Sequence, residues 1–133
     1  MKKRIEISSY VYALIILVIF GCSAAMGQGF INEDNFEDKI AKDIIAVEFW
    51  AGWNSHNQFA ELEKLKQCEK YRVDIGANSK LQTNFSVISV PTVIIFDNGI
   101  EKERFAANIM FQLEADKKTI QNSIDTIKLN KFQ

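Results

Sequence analysis

Few side chains in this sequence can do covalent or metal chemistry. The 133 residues contain two cysteines, Cys22 and Cys68, and one histidine, His56. The histidine has no companion cysteine or clustered carboxylate in the sequence, so we expect neither a metal site nor another cofactor. It lies in a polar segment, Trp53 to Asn57, that reads W-N-S-H-N. Asn54 or Ser55 could cap the free amides of a following helix and His56 could carry a proton, so this segment is the candidate site.

A second candidate is an acidic residue inside an apolar run. Ile44 to Trp50 reads as a central strand covered on both faces, and Glu48 interrupts it. Burial should raise the pKa of this carboxyl unless a lysine or a polar network meets it. We therefore expect Glu48 to be a buried structural residue that a nearby lysine or water satisfies.

The elements that must position these residues follow from apolar spacing and turn residues. Ser55 and Gln58 have the spacing of a capping box, and Phe59, Leu62 and Leu65 follow at three-residue intervals. We predict helices at about residues 35–42, 56–67 and 111–129, with a brief helix after Asn78. We predict strands at residues 44–50, 71–75, 90–96 and 100–105.

This order predicts an α/β fold with a central mixed sheet and helices on both faces. The alternation of helix and strand gives way to a C-terminal β-hairpin, turned at Asp97-Asn98-Gly99, and a closing helix. The sequence is long enough for one domain, which we place at residues 29–133. Basic and acidic residues nearly cancel, 16 against 17, so a nucleic acid is not expected as a partner.

Residues 1–28 have the layout of a secretory signal peptide. Three basic residues, Lys2 to Arg4, precede an apolar run from Tyr10 to Phe20, which is shorter than the roughly 20 residues of a membrane span. Small residues suited to signal-peptide cleavage follow at Ala25 to Gly27. Alternatively, Ile19 to Cys22 resembles a bacterial lipobox, in which Cys22 would carry the lipid.

Both routes predict an exported protein, either periplasmic or otherwise extracytoplasmic. The lipobox route would add a membrane anchor through Cys22, and the cleavage route would discard that cysteine. Either route leaves Cys68 as the only cysteine of the folded domain, so no internal disulfide can form.

Four segments resemble the thioredoxin family: V-E-F-W-A-G-W at Val47 to Trp53, V-D-I at Val73 to Ile75, S-V-P-T at Ser89 to Thr92, and F-D-N-G at Phe96 to Gly99. The likeness covers about residues 30–129 and implies a thioredoxin-like fold. It places Asn54 and Asn57 at the two cysteine positions of the family's C-x-x-C motif, and His56 where the disulfide isomerase group has a histidine. It also matches Pro91 to the family's cis-proline and Glu48 to its buried acid.

The interval from Trp53 to Asp74 is shorter than is usual in thioredoxins, which predicts a truncated second helix. An asparagine carboxamide is no substitute for a thiolate, so we do not expect dithiol-disulfide oxidoreductase activity.

The resemblance leaves binding as the expected function. We predict a non-catalytic, redox-inactive module that binds a polypeptide or an envelope protein through Trp53, Asn54, Ser55, His56 and the turn at Val90 and Pro91. Two alternatives remain open: redox chemistry through Cys68, alone or in a disulfide-linked dimer, and a lipid-tethered scaffold. The sequence does not decide the oligomeric state.

Overall fold

The computed structural model describes residues 29–133. The predicted signal peptide, including Cys22, lies outside the described residues. Within residues 29–133, no helix is long and apolar enough to cross a membrane. The helices are α1 (Phe36–Ile40), α2 (Ser79–Asn84) and α3 (Lys117–Asn130), and the strands are β1 (Ile44–Trp50), β2 (Glu69–Asp74), β3 (Thr92–Asp97) and β4 (Ile100–Ala106).

The four strands form one mixed sheet in the order β2-β1-β3-β4. β1 pairs in parallel with β2 and antiparallel with β3, and β3 pairs antiparallel with β4. β1 is therefore central, as its apolar sequence predicts, whereas β4 is an edge strand whose first four residues are exposed and mostly charged. The α/β class and the mixed sheet are confirmed.

Alternate side chains of β1 enter two hydrophobic cores. Ile45, Val47 and Phe49 face a core that contains Phe36 and Ile40 of α1. Ile44 and Ala46 face the opposite core, which includes two residues of α3 and three apolar residues of the segment after β1: Ile120, Ile124, Phe59, Leu62 and Leu65. Glu48 shares this second face, because strand side chains alternate.

The predicted helix over residues 56–67 is wrong. The chain forms two short 3-10 helices instead, Gly52–Asn57 and Leu62–Lys64. Phe59, Leu62 and Leu65 are buried as predicted. Their three-residue spacing matches the 3.0 residues per turn of a 3-10 helix better than the 3.6 of an α-helix.

Side chains from outside this segment take the backbone groups that an α-helix would have used. Glu48 Oε1 accepts a hydrogen bond from Phe59 N at 2.6 Å, and Arg72 Nη2 donates to Phe59 O at 3.1 Å. Gln121 of α3 similarly accepts from Lys66 N at 2.7 Å and donates to Lys66 O at 2.9 Å. Because these side chains pair with the backbone groups, the hydrogen-bonding needs of the segment are met without an α-helix.

The predicted capping box is also absent. In such a box the Ser55 hydroxyl would accept from Gln58 N, but Gln58 N donates to the backbone oxygen of Ser55 at 3.2 Å. No side chain caps the first 3-10 helix. Neither Asn54 nor Ser55 therefore has the capping role that the sequence suggested.

The closing helix begins six residues later than predicted, because the chain first forms a loop from residue 107 to 116. Phe111 has a left-handed φ of 56°, which a helix does not accommodate. Asp116 is the true N-cap, and its side chain accepts from Thr119 N at 2.8 Å. This signal was in the sequence, because aspartate is a preferred N-cap residue.

Candidate functional site

The W-N-S-H-N segment lies where β1 ends and β3 begins. The first 3-10 helix follows β1 after one residue, and the peptide bond between Val90 and Pro91, just before β3, is cis. Since Phe49 pairs with Thr92 in the antiparallel ladder, these two turns meet at the same edge of the sheet. The expectation that Pro91 is a cis-proline is confirmed.

Asn54 is buried and joins the two turns. Its side chain is only 3% exposed, and Nδ2 donates to Val90 O and to Phe111 O, both at 3.0 Å. Its Oδ1 accepts from Asn57 Nδ2 at 2.9 Å. The two asparagines that stand at the positions of the family dithiol are therefore joined by a hydrogen bond, and both donors of Asn54 are engaged.

The other predicted binding residues divide into exposed and buried. Trp53 is 64% exposed and Ser55 and His56 are exposed, whereas Val90 and Pro91 are buried. The ring nitrogen Nε2 of His56 is 3.3 Å from Asn57 Nδ2. The surface at this edge is thus formed by the tryptophan, the hydroxyl and the imidazole, while Asn54 and the proline turn lie beneath.

A loop that the sequence analysis missed completes the site. Asn108 organises it: Asn108 Oδ1 accepts from Met110 N at 2.9 Å and from Gln112 N at 3.1 Å. The Phe111 ring meets the Trp53 ring edge to face, with centroids 5.1 Å apart. Only Phe111 of the exposed apolar run Ile109-Met110-Phe111 falls within the helix predicted at residues 111–129, and an apolar run gives no sequence signal of exposure.

Glu48 lies behind the site and is fully buried. Arg72 Nε is 2.7 Å from Glu48 Oε2, and Phe59 N donates to the other oxygen at 2.6 Å. The expected partner was a lysine or water, and the structure supplies an arginine from β2. The guanidinium is 13% exposed and also approaches Glu63, at 3.5 Å.

Burial raises the pKa of the Glu48 carboxyl above its usual value, and the hydrogen bonds from Phe59 N and Arg72 act in the opposite direction. Both carboxylate oxygens have partners, so the group is a satisfied structural ion pair. It ties the segment after the first 3-10 helix to the sheet.

Comparison with known proteins identifies this architecture. The family model described as Thioredoxin matches residues 28–126. The chain belongs to the thioredoxin family. It is 35% identical over 80 residues to a thioredoxin of Chlamydia muridarum, an alignment that covers 56% of this chain and 78% of that one. It is also 30% identical over 101 residues to protein disulfide-isomerase A4 of Bos taurus, covering 68% of this chain and 16% of that protein.

Solved thioredoxins have the same fold. A mutant thioredoxin of Halobacterium salinarum superimposes with a TM-score of 0.60 at 19% identity, covering 74% of this chain and 88% of that one. A mutant thioredoxin of Entamoeba histolytica superimposes with a TM-score of 0.58 at 23% identity, covering 75% of this chain and 99% of that one. At this identity the likeness establishes the fold.

Cys68 of this thioredoxin-family domain lies away from the W-N-S-H-N loop. It is half-buried against the core that α3 covers, and burial raises the pKa of its thiol to about 11. Nearby Lys70 lowers the pKa and Asp125 raises it, both less than burial does. Within residues 29–133, no three His, Cys, Asp or Glu side chains gather as a metal-binding group.

We predict that replacing Arg72 by leucine destabilises the domain by about 3 kcal/mol, because Glu48 then stays buried without its charged partner. Urea unfolding measures the loss. The double variant Glu48→Leu, Arg72→Leu should recover most of it, and equal losses in the single and double variants would contradict this account of the pair.

The stability lost in Arg72→Leu should depend on pH. Without Arg72 the folded-state pKa of Glu48 rises further above its unfolded value, so its stabilising contribution is present at low pH and lost as pH rises. The stability deficit of Arg72→Leu relative to the parent should therefore shrink between about pH 8 and about pH 5. A deficit that is constant over this range would contradict the assignment.

We predict slow alkylation of Cys68 at neutral pH. With a pKa of about 11, only about one thiol in a thousand is ionised at pH 8. The iodoacetamide reaction rate of the folded domain, followed against pH, should rise with a midpoint near that pKa. Fast alkylation near pH 7 would restore redox chemistry through Cys68 as a candidate function.

Proposed function

We propose that this protein is an exported, non-catalytic thioredoxin-like module that binds an extended polypeptide at the edge of the sheet where the W-N-S-H-N loop lies. The observation that carries the proposal is an exposed apolar surface at this edge. Trp53 is 64% exposed, and beside it the loop presents Ile109, Met110 and Phe111 with exposures of 94%, 67% and 42%. We call these four residues the apolar rim.

Exposed apolar residues in one cluster indicate a contact surface, and tryptophan is enriched among the residues that dominate binding energies. An open groove of about 460 Å³ lies alongside, lined by residues 56–61 and by residues 112, 113, 116 and 117. Its lining carries Glu61, Asp116, Lys117 and His56, which offer polar contacts to a bound chain. The combination of apolar rim and polar groove suits a polypeptide.

The absence of catalysis in this proposal follows from the chemistry of the loop. Disulfide exchange requires a thiolate to attack a sulfur atom and a second thiol to resolve the mixed disulfide. Residues 51–58 contain no sulfur, and Asn54 and Asn57 use their amides to bond one another and the backbone. The raised pKa of Cys68 disfavours the alternative that this cysteine acts alone.

Export is the part of the proposal that rests on residues 1–28. The basic residues, the apolar run and the small residues favour secretion, and Cys22 favours a lipid anchor as one of two processing routes. Metabolic labelling with a fatty acid distinguishes the routes: label that is lost in Cys22→Ser supports the anchor, and an unlabelled parent protein removes it.

We predict that the domain does not accelerate the reduction of insulin by dithiothreitol. The double variant Asn54→Cys, Asn57→Cys should gain activity, because a hydrogen bond of 2.9 Å already places the two side chains in contact. The gain should stay below the rate of a thioredoxin, since a 3-10 helix of six residues stabilises a thiolate less than a long α-helix does. Activity in the unaltered domain would refute the non-catalytic proposal.

We predict that the apolar rim binds carboxymethylated insulin B chain, an unfolded polypeptide without free thiols. Trp53→Ala should weaken binding about tenfold or more, as the loss of a central tryptophan commonly does. Amide chemical shifts measured during a titration give both the location and the affinity.

The matched control is Phe132→Ala. Phe132 is 81% exposed, and it follows Lys131, which pairs with Asp97 at the opposite end of β3. Equal weakening in both variants, or shifts that avoid the W-N-S-H-N loop and the apolar rim, would contradict the proposed binding surface.

A further inference from the structure

The backbone oxygen that an added strand would use at the proline turn already has a partner. A polypeptide that lies along the proline turn would be held by main-chain hydrogen bonds, and the acceptor directly before the cis-proline is Val90 O. In this structure Asn54 Nδ2 donates to that oxygen at 3.0 Å. The same nitrogen donates its second hydrogen to Phe111 O, also at 3.0 Å.

Asn54 thereby holds the loop against the turn. The loop has its own internal hydrogen bonds, in which Asn108 N donates to Gln112 O at 2.9 Å and Phe111 N donates to Asn108 O at 3.0 Å. A bridge between Ala107 and Leu113 closes its base. The loop is therefore a preformed unit, and the amide of Asn54 joins the side of this unit to the body of the domain.

The loop tip is poorly covered in this closed position. Ile109 is 94% exposed, and Phe111 keeps a left-handed φ of 56° while its oxygen accepts from Asn54. Non-glycine residues seldom adopt this backbone region unless the surroundings hold them there. Phe111 contacts the Trp53 ring through its own ring and the Asn54 amide through its backbone oxygen.

We propose that Asn54 is a latch that keeps the Asn108 to Gln112 loop closed over the cis-proline turn. A polypeptide forms a hydrogen bond with Val90 O only after the hydrogen bond from the Asn54 amide breaks. The inference rests on the proposed function. A backbone N–H of the bound polypeptide takes the place of the Asn54 amide, so the ligand is an extended segment whose residue facing Val90 is not proline. The released loop then lays its apolar tip on that segment.

Two single substitutions test the latch. Asn54→Ala removes both donors, whereas the matched control Asn122→Ala removes an exposed asparagine of α3, outside the groove and the apolar rim, and leaves both donors on Asn54. Asn54→Ser is the second latch variant, in case alanine unfolds the domain, because serine keeps a polar side chain too short to reach both oxygens. Relaxation dispersion at the amides of Met110 and Gln112 reports the population of the open loop, because opening changes the surroundings of these amides even while their bonds to Asn108 persist. Titration with carboxymethylated insulin B chain reports affinity.

The expected result has two parts. In Asn54→Ala the population of the open loop rises about tenfold above that of the parent, because the hydrogen bonds that favour the closed loop are gone. The dissociation constant falls about tenfold, because a larger fraction of the protein is competent to bind, while Asn122→Ala stays within about twofold.

Binding that is unchanged or weaker in the Asn54 variants, with the parent still binding, overturns the latch and leaves the proposed function standing. The latch is also overturned, with the proposed function left standing, if the population of the open loop does not rise in the Asn54 variants. If neither the parent nor the variants bind the peptide while their loops open as expected, the proposed function fails and the latch inference fails with it.

Discussion

A buried ion pair between Glu48 and Arg72 shapes the part of the molecule that contains the candidate site. The carboxylate stands in the middle of the central strand, and the guanidinium reaches it from the neighbouring parallel strand at 2.7 Å. Together they bind both backbone groups of Phe59. The segment after the W-N-S-H-N loop is consequently pinned to the sheet at one residue, and it follows an irregular course instead of an α-helix.

At the candidate site, the side chain that joins the surrounding segments is a carboxamide where the family has a thiol. A thiol has one weak donor, whereas a carboxamide has two strong donors and an acceptor. At the first of the two positions that resemble the family dithiol, the amide of Asn54 connects the loop after β1, the proline turn and the loop before α3. The site is therefore organised by directional hydrogen bonds among three segments. Such bonds are compatible with the polypeptide binding and the loop opening that we propose.

Much of the fold could be predicted from the sequence because its strongest signals are local. The apolar run of β1 and the Asp97-Asn98-Gly99 turn indicated the right strand and the right hairpin, and the S-V-P-T segment led to the cis-proline. The helix over residues 56–67 failed because its competitors are distant in sequence: Arg72 and Gln121 bind backbone groups of Phe59 and Lys66. Local propensity cannot register such partners.

The candidate site was predicted only in part, because some of its contacts also join residues that are distant in sequence. Trp53 was predicted to contact a polypeptide, which requires an exposed side chain, and it is exposed. Asn54 was expected at the surface or at a helix cap, but its partners lie on the proline turn and at Phe111, which was predicted to begin the closing helix. Sequence periodicity predicts a helix where apolar residues recur at helical spacing. Whether the residues of the loop tip are exposed depends on tertiary contacts, which periodicity does not show.

The proposed function requires that the apolar rim contacts a polypeptide without any thiol chemistry. Site-specific photo-crosslinking can detect this contact, with benzoylphenylalanine placed at Met110 and, as a control of similar exposure, at Leu129; the two residues are 67% and 66% exposed. We expect adducts with carboxymethylated insulin B chain from position 110 that persist in excess dithiothreitol, and few from position 129. Equal yields from the two positions, or no adduct from position 110, would show that the rim is not the binding surface.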